Sequence, residues 1–341
     1  MNEIREKIAA CYAGVVGQEE IVKDRIVTHT AFAMGSKQPC NVLFTGEAGL
    51  GKSHLLRCEE KAREAAIEIR FNRMGDVGFF KTPQDFRLQG AAFNSLMNYL
   101  RFGSGLVVDE LHETNIKPTV QTDKFLIALK QLMDNGQGPV RVTIIDPDNT
   151  IQRAETEVFF ACGTNYPRTI KDGPALISRF GGETVLKPYS QEQLTKILLK
   201  MTKDNNLRVH ENTLALITSC GRGTARPLEK ITAKLVNEAI VADKDTLNRA
   251  EVIEVIRSLS LYPHGLTRQE IGILVGSQSD GLEVSFIPIR FRCEAKAAQM
   301  SVAFLYERGF LSVKSRRCFL TPRGATYLSN LKADKFDLNI Q

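Results

Sequence analysis

The sequence predicts an α/β fold: a parallel sheet with helices on both faces, then a helical section, then a small C-terminal helix–helix–hairpin unit. Three observations predict it. Short apolar segments alternate with helix-length segments across residues 41–162, the order of a parallel sheet whose crossovers are helices. A glycine-rich loop lies between the first apolar segment and the first long helix. From Ser190 the apolar residues recur at helical spacing, and strand-like segments return only after residue 309.

Residues 1–36 read as helical, broken by Gly14-Val15-Val16-Gly17-Gln18. Asn41-Val42-Leu43-Phe44-Thr45 is a short apolar strand ended by Gly46, as suits a strand buried on both faces. Residues 53–66 follow as a helix, and Ile67-Glu68-Ile69-Arg70-Phe71 alternates like a second strand. Residues 84–101 read as a helix, and Gly105-Leu106-Val107-Val108-Asp109 as a buried strand ending in acid. Residues 123–135 form an amphipathic helix, 139–155 a polar hairpin, and Val158-Phe159-Phe160-Ala161-Cys162 another apolar strand. Phe79-Phe80-Lys81 is expected in the loop between the second strand and its helix, packed in the core or in a local turn.

The character changes near Pro188. Residues 190–258 are helical, with Ser190 and Glu211-Asn212-Thr213 as start signals. Short helices at 267–275 and 294–307 precede Phe310-Leu311-Ser312-Val313, a basic turn and Cys318-Phe319-Leu320. That order suggests a winged helix. The expected organisation is residues 1–188, 189–258, 259–332 and a polar tail over 333–341.

The 341 residues are 43% hydrophobic and 25% charged, ordinary values for a globular chain. Such a length buries a core without disulfides or metals. The seven cysteines show no Cys-x-x-Cys pair and no histidine at ligand spacing, so reduced thiols in a cytosolic protein are expected. No signal peptide or transmembrane helix is expected. The net charge is +6, and residues 259–332 hold ten Lys/Arg against five Asp/Glu. That placement points to a polyanionic partner.

Four constellations carry chemistry. Gly46-Glu47-Ala48-Gly49-Leu50-Gly51-Lys52-Ser53 matches G-x-x-x-x-G-K-[ST]. Its glycines let backbone N–H groups turn inward around phosphates, and the next helix points its positive end at them. Lys52 reaches the β- and γ-phosphates, and the Ser53 hydroxyl ligates Mg²⁺. His54 follows this loop directly as part of the nucleotide site. Asp109 and Glu110 close a buried strand, where Asp109 would hold Mg²⁺ and Glu110 would polarise the attacking water. Asn165, after the strand at 158–162, would orient that water or simply end the strand. Arg179 and Arg226 would neutralise charge on a transferred phosphoryl group, or make ordinary surface ion pairs. The basic turn Lys314-Ser315-Arg316-Arg317, with Arg323 nearby in sequence, suits sequence-independent phosphate contact.

Together these motifs resemble the AAA+ ATPases over residues 14–332, nearest the RuvB-type Holliday-junction branch-migration motors. Gly17-Gln18 resembles the family's nucleotide-flanking Gly-Gln, the place of Phe79-Phe80-Lys81 is similar to that of pore residues in many of its translocases, and Asp109-Glu110-Leu111-His112 resembles the Asp-Glu-Ile-His of that type. Leu176-Ile177-Ser178-Arg179-Phe180-Gly181 resembles its arginine-finger segment. Arg222-Gly223-Thr224-Ala225-Arg226 resembles its Arg-Gly-Thr-Pro-Arg. Arg308-Gly309-Phe310-Leu311 and Leu320-Thr321-Pro322-Arg323-Gly324 resemble two strings of its winged helix. The likeness is divergent, in the manner of a phage or mobile-element relative: Ala48 stands where proline is common.

The resemblance implies an AAA+ P-loop domain, a helical lid and a winged helix, with ATP and Mg²⁺ as cofactors. It implies that Asn165 is sensor 1, Arg226 sensor 2, and Arg179 a finger acting on a neighbour's ATP. It further implies a hexameric ring on duplex or branched DNA, with a junction-binding partner protein. Two other classes use the same ATP residues: a DNA-bound switch or loader, and a protein remodeller.

Overall fold

The computed structural model describes residues 1–38, 40–72, 77–83, 105–116, 126, 129–130, 133, 140–145, 151–156, 159–170, 173–336 and 338. The chain divides into two compact units, Met1–Tyr189 and Ser190–Gln341.

The first unit opens with helices α1 (Asn2–Ala10) and α2 (Glu19–Ala33), then strand β1 (Val42–Thr45) and helix α3 (Lys52–Phe71). Strands β2 (Val77–Phe80) and β3 (Gly105–Val108) follow, then a helical turn α4 (Glu113–Ile116). Strands β4 (Val140–Ile145) and β5 (Ile151–Thr156) pair antiparallel, as the hairpin reading expects. Strand β6 (Phe159–Thr164), helix α5 (Gly173–Arg179) and strand β7 (Thr184–Val185) complete the unit. Five strands form one parallel sheet in the order β2-β3-β6-β1-β7. Strand β1 lies between β6 and β7, while its successor β2 is at the far edge. The chain thus reverses direction across the sheet beside β1. Such a switch opens a crevice at the carboxyl ends of the strands, where residues 46–51 lie.

One sheet face is covered by a core containing Leu43, Leu106, Val108, Phe160 and Cys162, joined by Leu126, Leu129 and Met133. Those last three are buried and helical; the rest of the expected 123–135 helix, save Lys130, lies outside the described residues. So does the helix expected over 84–101. The opposite face packs on α3 through Leu55, Leu56, Ala62, Ala66 and Ile67. Fully burying each such leucine or isoleucine contributes roughly 1.5–3 kcal/mol.

Two expectations are corrected here. Residues 67–71 are the last turn of α3, not a strand. The buried positions 55, 56, 59, 62, 63, 66 and 67 continue one helical face, and that packing outweighs the short alternation. Asn72, at φ +51°, ends the helix in the left-handed conformation. Phe79 and Phe80 therefore lie inside strand β2 rather than in a loop. Phe80 is core, and the Arg57 guanidinium lies 3.4 Å from the Phe79 ring centroid.

A buried polar cluster fastens the helices behind the sheet. Arg25 of α2 donates to both carboxylate oxygens of Glu59 in α3 (2.9 and 2.8 Å) and to the Cys40 carbonyl. Tyr12 donates to Glu59 at 2.7 Å, and His29 Nε2 lies 2.8 Å from it. Burial pushes the Glu59 carboxyl up, but Arg25 and His29 hold it well below the usual range. Burial lowers His29, against the pull of Glu59.

The second unit is helical at first: α6 (Gln191–Asp204), α7 (Glu211–Ser219), α8 (Arg226–Val241) and α9 (Arg249–Ser258). Ser190 and Asn248 close capping boxes at α6 and α9. Then come α10 (Arg268–Gly276), strand β8 (Leu282–Glu283), α11 (Ile287–Arg290), α12 (Ala295–Glu307), strands β9 (Leu311–Lys314) and β10 (Arg317–Leu320), and α13 (Pro322–Ala333). The strands form an antiparallel sheet ordered β8-β10-β9. Ala333, Asp334 and Phe336, all within the segment expected as a tail, are held in the unit. Arg249 makes two bonds to Asp334 (2.8 and 2.9 Å), and Phe336 is buried near Tyr262. Phe336 supplies apolar surface that the charged flanking residues hide from a composition reading.

Candidate active site

The loop after β1 takes the conformation its glycines permit. Gly46, Gly49 and Gly51 have φ of +147°, +87° and +87°, values that L side chains rarely adopt. A Cβ on Gly51 would meet the Tyr189 hydroxyl at 2.6 Å, and that hydroxyl donates to the Leu50 carbonyl at 2.8 Å. Leu50 is buried, while Glu47 and Ala48 are exposed at the loop's crest. Lys52 is buried, and its ammonium donates to the Gly46 and Glu47 carbonyls, both at 2.8 Å. The cation thus lies under the loop. Ser53 and His54 are exposed in the first turn of α3.

Gln18 is buried, and its side-chain amide donates to the Lys187 carbonyl at 2.9 Å. The neighbouring Leu186 carbonyl lies 3.2 Å from a Cβ built on Gly46. The Gly17-Gln18 break therefore runs beside the start of the glycine loop.

The acid pair lies at the end of β3. Asp109 is buried, and its Oδ1 accepts the Glu110 N–H at 2.9 Å. A Cβ on Gly163 would come within 2.8 Å of that oxygen and 2.9 Å of Leu56 Cδ1. Asp109 thus abuts the face of α3 that carries Ser53, one turn before Leu56. A larger residue at 163 would displace the carboxylate from this place.

Glu110 has φ +48°, a strained conformation for a bulky residue. Its carboxylate receives a hydrogen bond from Asn165 Nδ2 (3.3 Å) and lies 3.4 Å from His112 Nδ1. His112 Nδ1 is also 3.3 Å from Thr164 Oγ1. A proton on Nδ1 serves both neighbours, so that tautomer suits the site. Tyr166 packs edge-on against the imidazole. Asn165 Oδ1 is buried and has no hydrogen-bond partner among the described residues. Turning the amide over would set that oxygen against the Glu110 carboxylate, acceptor against acceptor, so the present orientation is the one that suits Glu110.

The structure therefore brings Asp109, Glu110 and Asn165 together at adjacent strand ends. Arg179 ends α5, where its Nη1 donates to the Ala175 carbonyl of the same helix at 2.9 Å. Arg226 is exposed at the start of α8 in the second unit. Sequence reasoning assigned no role to His112, Thr164, Tyr189 or the gap at Gly163. Two of these carry a sequence signal: Gly163 is a glycine inside an otherwise apolar strand, and His112 closes the Asp109-Glu110-Leu111-His112 string.

The basic positions separate into two places. Ser315 and Arg316 have φ of +48° and +64°, so β9 and β10 are joined by a two-residue turn of the mirror-image kind. Lys314 and Arg316 are exposed there, while Arg317 donates to the Asp280 carbonyl. Arg323 lies at the other end of the hairpin, in the first turn of α13, 5.3 Å from the Phe310 ring. Three strand steps, roughly 10 Å, part the two ends.

A parallel sheet, a glycine loop and strand-end acids together make the architecture of a P-loop nucleotide site. The chain is similar to RuvB proteins at low identity. It is 23% identical over 266 residues to the Holliday junction branch migration complex subunit RuvB of Pseudothermotoga lettingae, spanning 76% of this chain and 69% of that one. It is 21% identical over 318 residues to RuvB of Sulfurimonas denitrificans, spanning 90% and 86%. The solved Thermotoga maritima RuvB branch migration motor superposes with a TM-score of 0.57 at 18% identity, over 94% of this chain and 96% of that one. The Aeropyrum pernix ORC1 protein in complex with DNA gives 0.53 at 15% identity, over 94% of each. No protein-family profile matches the chain. No helix among the described residues is long and apolar enough to cross a membrane.

Proposed function

We propose that this chain is an ATP-hydrolysing DNA motor of the RuvB kind, working as a ring on duplex or branched DNA. The observation that carries the hydrolytic reading is the pairing of Glu110 with Asn165 at the strand ends beside the glycine loop. A water between them donates one hydrogen to the Glu110 carboxylate and the other to the buried Asn165 Oδ1, which has no other partner among the described residues. Glu110 takes the proton as the water oxygen attacks the γ-phosphorus, and ADP and phosphate leave. Lys52 and the N–H groups of residues 46–53 hold the β- and γ-phosphates. Ser53 and Asp109 are the residues that would hold Mg²⁺, and the room that Gly163 leaves for Asp109 fits that role. When bound, the metal neutralises charge on the phosphate oxygens.

His112, bonded at Nδ1, keeps Glu110 in its strained position. Arg179 completes a neighbour's site in trans, and Arg226 reports the γ-phosphate to the helical lid. The C-terminal segment serves as a winged helix, with Lys314, Arg316 and Arg323 on DNA phosphates. Its basic balance and the RuvB and ORC1 likenesses support this reading.

The test is ATP turnover by the purified protein with a four-way junction, with duplex and without DNA. The expected result is hydrolysis stimulated by DNA, junction migration, and loss of nucleotide binding in Lys52→Ala. ATP turnover indifferent to every DNA, with no gel shift at low salt, would overturn the DNA motor in favour of protein remodelling. DNA-dependent assembly without migration would leave a switch or loader.

A further inference from the structure

We infer that Arg222 is a positioning residue that carries the nucleotide state from helix α8 into the basic C-terminal segment. The inference rests on the proposed role of Arg226 at the γ-phosphate. It uses a joint at which three elements meet on one guanidinium.

The turn leading into α8 is stiff. A Cβ on Gly221 would meet Leu194 and Leu228 side chains at 2.8 Å and the Thr224 carbonyl at 3.0 Å. Thr224 donates both its N–H and its hydroxyl to the Gly221 carbonyl (2.9 and 3.0 Å). Arg222 and Gly223 have φ of +50° and +81°. Four residues after Arg222 comes Arg226, the first residue of α8. So short and packed a turn passes on a displacement rather than absorbing it.

The Arg222 side chain reaches into the C-terminal segment. Its Nη1 lies 3.0 and 3.1 Å from the two Glu270 oxygens, and its guanidinium is 3.5 Å from the Phe304 ring centroid. Glu270, 1% exposed, is also the capping-box acid of α10 and accepts the Thr267 N–H at 2.8 Å. Phe304 belongs to α12. Backbone contact closes the joint: a Cβ on Gly265 would lie 2.5 Å from Arg222 Cβ. A planar cation that both stacks and pairs requires arginine; lysine offers only a point charge.

A second edge holds the same two parts together without Arg222. There α9 supplies Arg249, paired to Asp334, and Arg257, which donates to the Lys335 carbonyl at 2.9 Å. Removing Arg222 therefore leaves the segments attached along α9 while freeing the edge next to Arg226. That arrangement separates coupling from mere attachment.

The experiment uses the full chain, with Arg222→Gln and the milder Arg222→Lys and Phe304→Leu. Two quantities are read: ATP turnover with and without DNA, and hydrogen exchange in α10 and α12 with and without a non-hydrolysable ATP analogue. Basal turnover is expected to stay near wild type. Stimulation by DNA should fall about fivefold or more, the lower end of ordinary coupling between sites. The nucleotide-dependent change in α10 exchange should vanish in Arg222→Gln and shrink in the milder variants. Retained stimulation and an unchanged exchange response in the folded variants would overturn the inference, leaving Arg222 a fastener. If the wild type shows no DNA stimulation, the DNA-motor reading fails. The exchange response then decides alone: its presence in wild type and loss in Arg222→Gln sustain the coupling, and any other result overturns it.

Discussion

The two ends of the proposed motor are built in opposite ways. In the nucleotide site of the first unit, Lys52 and Asp109 are buried, and glycines at 46, 49, 51 and 163 make the room. At the basic end of the second unit, Lys314, Arg316 and Arg323 are exposed at a turn and a helix start. The difference teaches where each function is vulnerable. A buried, preorganised site fails through a single atom, whereas exposed phosphate contacts act separately and add.

The largest effects should therefore come from the first unit. Glu110→Gln should retain ATP and lower turnover by roughly 10²–10⁴-fold, read as trapped nucleotide in single-turnover assays. A Glu110→Gln protein with normal turnover would remove the base from the scheme. Arg179→Ala should bind ATP yet lose about 10³-fold in hydrolysis. Mixing Arg179→Ala with Glu110→Gln subunits tests whether sites are shared: activity recovered at intermediate ratios supports the trans arrangement, and none at any ratio opposes it.

Smaller effects are expected at the exposed end. Lys314→Ala and Arg323→Ala should each weaken DNA binding for all sequences and reduce the salt slope by about 1. Because the two lie at opposite ends of the hairpin, the double variant should show additive losses. A slope unchanged in both would move the DNA elsewhere.

The smallest effect sharpens the comparison behind the site, in the Arg25–Glu59–His29 cluster. His29 and Glu59 both titrate lower in the fold than their ordinary values, so the unfolded chain takes up their protons first as pH falls. The stability each contributes is complete above its ordinary value, about 6.5 for His29 and 4.5 for Glu59, and is lost below it. Melting temperature should decline in two stages on acidification, and His29→Gln should erase the first and shrink the second, because His29 helps Arg25 hold Glu59 low.

Much of the fold was legible. Apolar runs marked β1, β3 and β6, and Ser190 marked the start of α6. The error at residues 67–71 arose because five alternating residues look alike in a strand and at a helix end. Only the buried face begun at Leu55 decides between them.

The sequence by itself determined the glycine loop with Lys52 and Ser53, the strand-end acids Asp109 and Glu110, and the surplus of cations after residue 259. These rest on local chemistry: glycine conformation, apolar runs and charge are properties of neighbouring residues. Only the tertiary structure placed Asn165 and His112 on Glu110, set Gly163 against Asp109, parted Arg323 from the hairpin turn, and joined Arg222 to Glu270 and Phe304. Apart from His112 and Arg323, which lie near their partners in sequence, these pairings cross 48 to 82 residues, and strand order and helix packing set them, which no local pattern encodes.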